Sequence, residues 1–187
     1  MNFLQKYNHI KNTRFKSFEF ALSEAKKRNH KTLVETGVAR GKIKFFFFTK
    51  INWKDGMSTM IFSDYAKYMN ARLYTCDIES KNINNAKKFC KKNNQFITFI
   101  VDDSLNFLDN FKDPIDFLYL DSLDGQFVGA SEHQLKEIKL AIKNLKKDSL
   151  VLLDDKGAKT NLSIDFMLKN NFKIINETKE QVLLTYY

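Results

Sequence analysis

The stretch Thr32-Leu33-Val34-Glu35-Thr36-Gly37-Val38-Ala39-Arg40-Gly41 decides the fold. Four of its first five residues, all but Glu35, are apolar or β-branched, which suits a buried strand. Gly37 then ends the run with a residue whose backbone can turn sharply and approach another group closely. Upstream, Ser17 to Arg28 places Phe18, Ala21, Leu22 and Ala25 at three- and four-residue spacing, so a helix leads into this strand. Downstream, Ser58 to Met69 reads as a helix and Arg72 to Cys76 as a second strand ending at Asp77.

The alternation continues to the end of the chain. Helical patterns over Asn82–Asn93, Leu105–Phe111, Glu132–Leu145 and Leu162–Lys169 separate strands over Phe96–Val101, Ile115–Leu120 and Leu150–Leu153. Phe172–Asn176 and Gln181–Tyr186 then form a hairpin. Strands alternating with helices predict an α/β fold: a seven-stranded, mostly parallel sheet with helices on both faces and one antiparallel strand from the hairpin. At 187 residues, without linker or repeat, the chain is expected to be a single domain with residues 1–16 as an N-terminal extension. Lys42 to Asp55 breaks the pattern and reads as an aromatic insertion loop holding Phe45, Phe46, Phe47, Phe48 and Trp53.

Ligands of parallel α/β sheets bind beyond the carboxyl ends of the strands. Four successive strands end there in carboxylates: Asp77, Asp102-Asp103, Asp121 and Asp154-Asp155. One acidic residue at such a place is ordinary surface, whereas four in a row form an acidic rim. Asp55-Gly56-Met57-Ser58-Thr59 opens the second helix, where Ser58 or Thr59 would cap it and free amides suit a carboxylate. Neither GxGxxG nor a phosphate loop is present, which counts against a nicotinamide oxidoreductase.

Glu35-Thr36-Gly37, Gly56-Met57-Ser58-Thr59, Leu73-Tyr74-Thr75-Cys76-Asp77-Ile78, Val101-Asp102-Asp103-Ser104 and Ile115 to Asp121 occur in an order that resembles class I S-adenosylmethionine-dependent methyltransferases, with a Rossmann-like fold. The resemblance covers roughly Leu33 to Leu184, and the insertion between Gly37 and Gly56 departs from it. It implies that S-adenosylmethionine is the cofactor. Asp77 would then take the ribose hydroxyls beside Ile78, and Asp103 with Ser104 the adenine amine. Gly37, with Gly56, Ser58 and Thr59, would pass close to the cofactor, and Asp121 would line its site. Glu35 would face the methionine amino group or orient the loop.

Asp121, Asp154 and Asp155 are further similar to the divalent-metal ligands of catechol-type O-methyltransferases, which implies Mg²⁺; the alternative is that they only line the pocket mouth. Asp121 and Asp154 are the catalytic candidates on this reading. Lys156 and His133 are candidates for a general base, against the plainer roles of solvated lysine and helix-start histidine. The activity implied is methyl transfer to an oxygen of a small-molecule or sugar-like acceptor. RNA methylation, or a non-catalytic basic binding module, is the alternative.

The net charge of +9 keeps a nucleic-acid partner open, although the lysines are spread along the chain beside abundant Asn, Ile and Phe. An adenine-amino route in DNA is disfavoured because no Asn/Asp-Pro-Pro-Tyr/Phe segment follows the fourth strand, and a cytosine C5 route because no Pro-Cys pair exists. Cys76 and Cys90 are too few for a disulfide scaffold, and Met1–Asn12 lacks an apolar leader core, so a cytoplasmic protein without membrane association is expected. The aromatic insertion would serve as a substrate lid or as a homodimer interface.

Overall fold

The computed structural model describes residues 1–45 and 48–187, with backbone only for 42–45 and 48–50. Its main sheet holds β1 (Thr32–Thr36), β4 (Arg72–Asp77), β5 (Ile97–Val101), β6 (Ile115–Leu120), β7 (Leu145–Leu153), β8 (Phe172–Glu177) and β9 (Val182–Tyr186). The strand order is β5-β4-β1-β6-β7-β9-β8. All pairings are parallel except those of β9 with β7 and β8, so the expected sheet and its C-terminal hairpin are present. The chain steps outward from β1 to β4 and β5, then returns to pair β6 on the other side of β1. That reversal opens a crevice at the carboxyl ends of β1, β4 and β6.

Period-two alternation fills both faces. Leu33, Phe117, Tyr119, Leu150, Leu152 and Leu183 join one buried cluster, against Phe18 and Leu22 of α1 (Phe15–Lys27) and Phe62 and Tyr65 of α2 (Ser58–Met69). Val34, Leu118, Leu120, Val151, Leu153 and Leu184 join the other, against Leu108 of α4 (Ser104–Asn110), Ile138 of α5 (Ala130–Ala141) and Met167 of α6 (Asn161–Leu168). Ile83 and Ala86 of α3 (Ser80–Phe89) pack with Phe99 of β5. β6 is buried along its whole length, as a central strand covered on both sides must be.

One expectation needs correction. Lys42–Asp55 is not a plain loop: β2 (Lys42–Phe45) and β3 (Phe48–Ile51) pair antiparallel, and a 3₁₀ turn follows at Trp53–Asp55. Asn52 N–H donates to the Gly41 carbonyl at 3.0 Å and closes the neck of this hairpin. Phe46 and Phe47, and the side chains that would make a lid or a dimer interface, lie outside the described residues. Trp53 stacks on His9, with ring centroids 4.5 Å apart. In the N-terminal extension, residues 1–16, Leu4, Tyr7 and Phe15 are buried in the first cluster. Among the described residues, no helix is long and apolar enough to cross a membrane.

Candidate active site

Gly37 sits at φ +81°, beyond the end of β1, and its N–H donates to the Cys76 carbonyl at 2.9 Å. Asp121 N–H donates to the Thr36 carbonyl at 2.9 Å, so the ends of β4, β1 and β6 are laced together. A Cβ at Gly37 would stand 2.1 Å from the Asp121 carbonyl oxygen; only glycine allows this closure. The Asp77 carboxylate accepts from Val38 N–H at 3.1 Å and from Glu79 N–H at 2.8 Å, and the Asn82 amide steadies it at 3.2 Å. Asp77 and Gly37 therefore face one crevice.

Two adjoining cavities make up that crevice. One, of about 180 Å³, reaches from Asp77 to Arg40, Asp121 and Asp124. The other, of about 140 Å³, reaches from Asp77 to Asp103, Ser104 and His133. Gly37, Asp77, Ile78, Ser122 and Leu123 line both, so the space is continuous. A third cavity of about 170 Å³ adjoins the first across Arg40, Asp55, Asp121 and Asp124, and Arg14, Asp154 and Asp155 form its far wall.

With this geometry in view, the sequence model of a family described as a methyltransferase domain matches residues 53–156. The chain belongs to this methyltransferase family. No curated protein matches it by sequence. Among solved structures it resembles an rRNA methylase from Streptococcus thermophilus, with a TM-score of 0.61, 12% identity and coverage of 95% of this chain and 98% of that one. It also resembles an O-methyltransferase from Bacillus cereus in complex with SAH, at TM-score 0.64 and 12% identity, covering 92% and 81%. An SAH-bound Podospora anserina methyltransferase matches at TM-score 0.66 and 12% identity, over 91% and 78%. At such identities the likeness is one of fold.

Within this methyltransferase the expected residues divide. Gly37, Asp77, Ile78, Asp103, Ser104 and Asp121 all line the crevice. Asp103 also caps α4, accepting from Leu105 and Asn106 N–H, while Asp102 turns to the Asn106 amide and lines neither cavity. Glu35, Gly56, Ser58 and Thr59 line none of the three cavities. Glu35 is fully buried and accepts from the Ser58 and Thr75 hydroxyls at 2.6 Å each. Burial pushes its carboxyl up to about 7, against the pull of those hydroxyls. It braces the turn after β1 from within and lines none of these cavities. Thr59 Oγ1 accepts from Ala39 N–H at 2.9 Å, so the expected side-chain cap of α2 is replaced by internal bracing, with Met57 at the N-cap. Gly56 makes room for Arg14: a Cβ there would lie 2.9 Å from Arg14 Cδ.

The two candidate bases are not brought to the acidic wall. Lys156 pairs with Glu177 at 2.6 Å and lines none of these cavities. His133 stands 3.0 Å from Ser104 Oγ, in the cavity with Asp103. The expected metal ligands do come together: Asp121, Asp154 and Asp155 offer oxygens within 4.8 Å of one another. Yet Arg14 Nε donates to both Asp154 oxygens, at 2.7 and 3.0 Å, and Gln181 Nε2 donates to Oδ1 at 2.7 Å. Lys159 Nζ, almost fully buried, donates to Asp121 Oδ1 at 2.9 Å, and Tyr119 OH donates to Oδ2 at 3.2 Å. Every oxygen a cation would use on these two residues already has a donor, so the site as folded does not fit Mg²⁺.

Arg14 and Lys159 are the residues that sequence reasoning missed. Lys159 carried a faint signal, standing four residues after Asp155. Arg14 carried none, since its partner Asp154 lies 140 residues away. Burial would lower the Lys159 ammonium, but Asp121, Asp155 and Asp154 outweigh it and keep the group charged. Burial and the neighbouring Asp154 raise the Asp121 carboxyl well above the usual carboxylate range, with Lys159 pulling the other way.

Proposed function

We propose that this methyltransferase uses S-adenosylmethionine to methylate an oxygen of a small, polar, sugar-like acceptor. The bound donor supplies a sulfonium methyl that is already activated, so the protein's task is to hold the acceptor close and aligned. The observation that carries the reading is the single crevice joining Gly37, Asp77 and Asp103 to Asp121. Asp77 would hold the ribose hydroxyls by charge-assisted bonds. Ile78, which is 67% exposed, offers the adenine an apolar face, and Asp103 with Ser104 stands at its edge.

The acceptor would occupy the cavity beyond Asp121. Among the described residues its walls are carboxylates, Arg14, Arg40, Asn52 and Lys54 rather than rings or aliphatic chains, which suits a hydroxylated molecule better than a flat apolar one. Asp121 lines both this cavity and the crevice, at the junction where donor and acceptor would meet. The solved O-methyltransferase and the SAH-bound structures support this reading as relatives in fold.

A second reading, with RNA as acceptor, has its own observation. Lys6, Lys67, Lys88, Lys91 and Lys92 surround a separate cavity of about 470 Å³, and one fold relative is an rRNA methylase. Thermal melts separate the possibilities. S-adenosylhomocysteine at a hundredfold excess over its Kd should add about 2.7 kcal/mol of stability, and NADH none. Asp77→Ala should weaken S-adenosylhomocysteine binding by about tenfold or more while still folding. Unchanged affinity in that variant would remove the ribose assignment. RNA binding that falls steeply with salt would favour the second acceptor.

A further inference from the structure

We infer that the Arg14 guanidinium and the Lys159 ammonium fill the cation position of the acidic rim, so that this enzyme's own side chains stand where a divalent ion would otherwise be held. The Asp121–Asp154–Asp155 spacing resembles a metal site, but the donors within it account for that spacing. Arg14 Nη2 bridges Asp154 Oδ2 at 2.8 Å and Asp155 Oδ1 at 2.9 Å, while its Nε spans both oxygens of Asp154. Lys159 bridges Asp121 at 2.9 Å and Asp155 at 3.4 Å. The remaining Asp155 oxygen also accepts from Gly125 N–H at 3.0 Å. Three carboxylates thus face two fixed cations, and Mg²⁺, which demands near-octahedral oxygens at about 2.1 Å, would have to evict both.

Arg14 is built into this position rather than resting there. Its Nη1 donates to the Lys54 carbonyl at 3.1 Å, and its stem crosses Gly56 where no side chain fits. Its side chain is only 15% exposed. Because Arg14 lines the acceptor cavity, it is a positioning residue: it would orient an acceptor oxygen through its remaining Nη1 N–H and not through a Lewis acid. Only this last consequence rests on the methyl-transfer reading.

The test is a Mn²⁺ titration of the full chain, followed by electron paramagnetic resonance, which needs no turnover. Wild type should show no saturable site below about millimolar Mn²⁺, whereas carboxylate sites with free oxygens bind hard divalent ions. Arg14→Ala should gain a Mn²⁺ site about tenfold tighter or more, and Asp155→Asn added to it should remove that site. If Arg14→Ala does not fold, Lys159→Met provides the same gain-of-site measurement. Saturable Mn²⁺ binding by wild type that is lost in Asp155→Asn overturns the inference, as does a folded Arg14→Ala that gains no site. S-adenosylhomocysteine binding, measured in the same preparation, reports on the methyl-transfer reading separately.

Discussion

At Gly37 the backbone is left-handed, at φ +81°, and the missing side chain is what lets β1 and β6 close over the crevice. Alanine would meet the Asp121 carbonyl at 2.1 Å and would also bear the backbone strain of that φ. Gly37→Ala should therefore cost about 2 kcal/mol or more and weaken S-adenosylhomocysteine binding together with stability. Urea melts and calorimetry read both; an unchanged melt with full binding would show that the strand ends can part freely. Gly37 and Asp77 were legible in the sequence because each ends a recognisable strand. Arg14 was not, because its role depends on a carboxylate 140 residues away that only the folded chain brings near. Lys156 follows the aspartate pair in the chain but turns to Glu177, since chain proximity to the acidic rim says nothing about which way a side chain leaves its element.

Glu35 ties three elements together, standing in β1 and bonding Thr75 of β4 and Ser58 of α2. Its carboxyl titrates at about 7 when folded, against 4.5 for the free group. Between those values the folded chain holds the extra proton, so Glu35's contribution is fully present below pH 4.5 and is lost as pH rises through 7. Glu35→Gln keeps the shape without the titration. Its stability relative to wild type should rise by about 3 kcal/mol across that window. A constant difference from pH 4.5 to 7.5 would mean that Glu35 is charged throughout.

At the same scale, the strands with clear β-branched or apolar runs were placed within a residue or two, and β1 and β6 to the residue. β7 was not: it starts at Leu145, five residues before the apolar run at Leu150, because Lys146-Lys147-Asp148 breaks the alternation. The Lys42–Asp55 hairpin was hidden by a run of phenylalanines that shows no period.

Across the whole molecule, Arg14 near one end of the chain joins Asp154 and Gln181 near the other in one buried network, with Ser17 hydrogen-bonded to Gln181. Removing a carboxylate from such a network strands the partner's charge. Asp154→Ala should accordingly lose about 3–5 kcal/mol, seen as a lower urea midpoint. A loss below about 1 kcal/mol would mean that Arg14 finds water or another partner. The sheet order followed from the alternation of elements, but this closure of the chain's two ends onto one rim did not, since periodicity carries no information about which termini meet.

The neck at Gly41 and Asn52 gives the hairpin a different standing from the rest of the molecule. Among the described residues its two strands pair only with each other, and its root adjoins the cavity beyond Asp121 through Arg40 and Asn52. What lies above that root is a cassette. An element tied to the fold at its neck alone is one whose length can change without disturbing the strand ends that line the crevice.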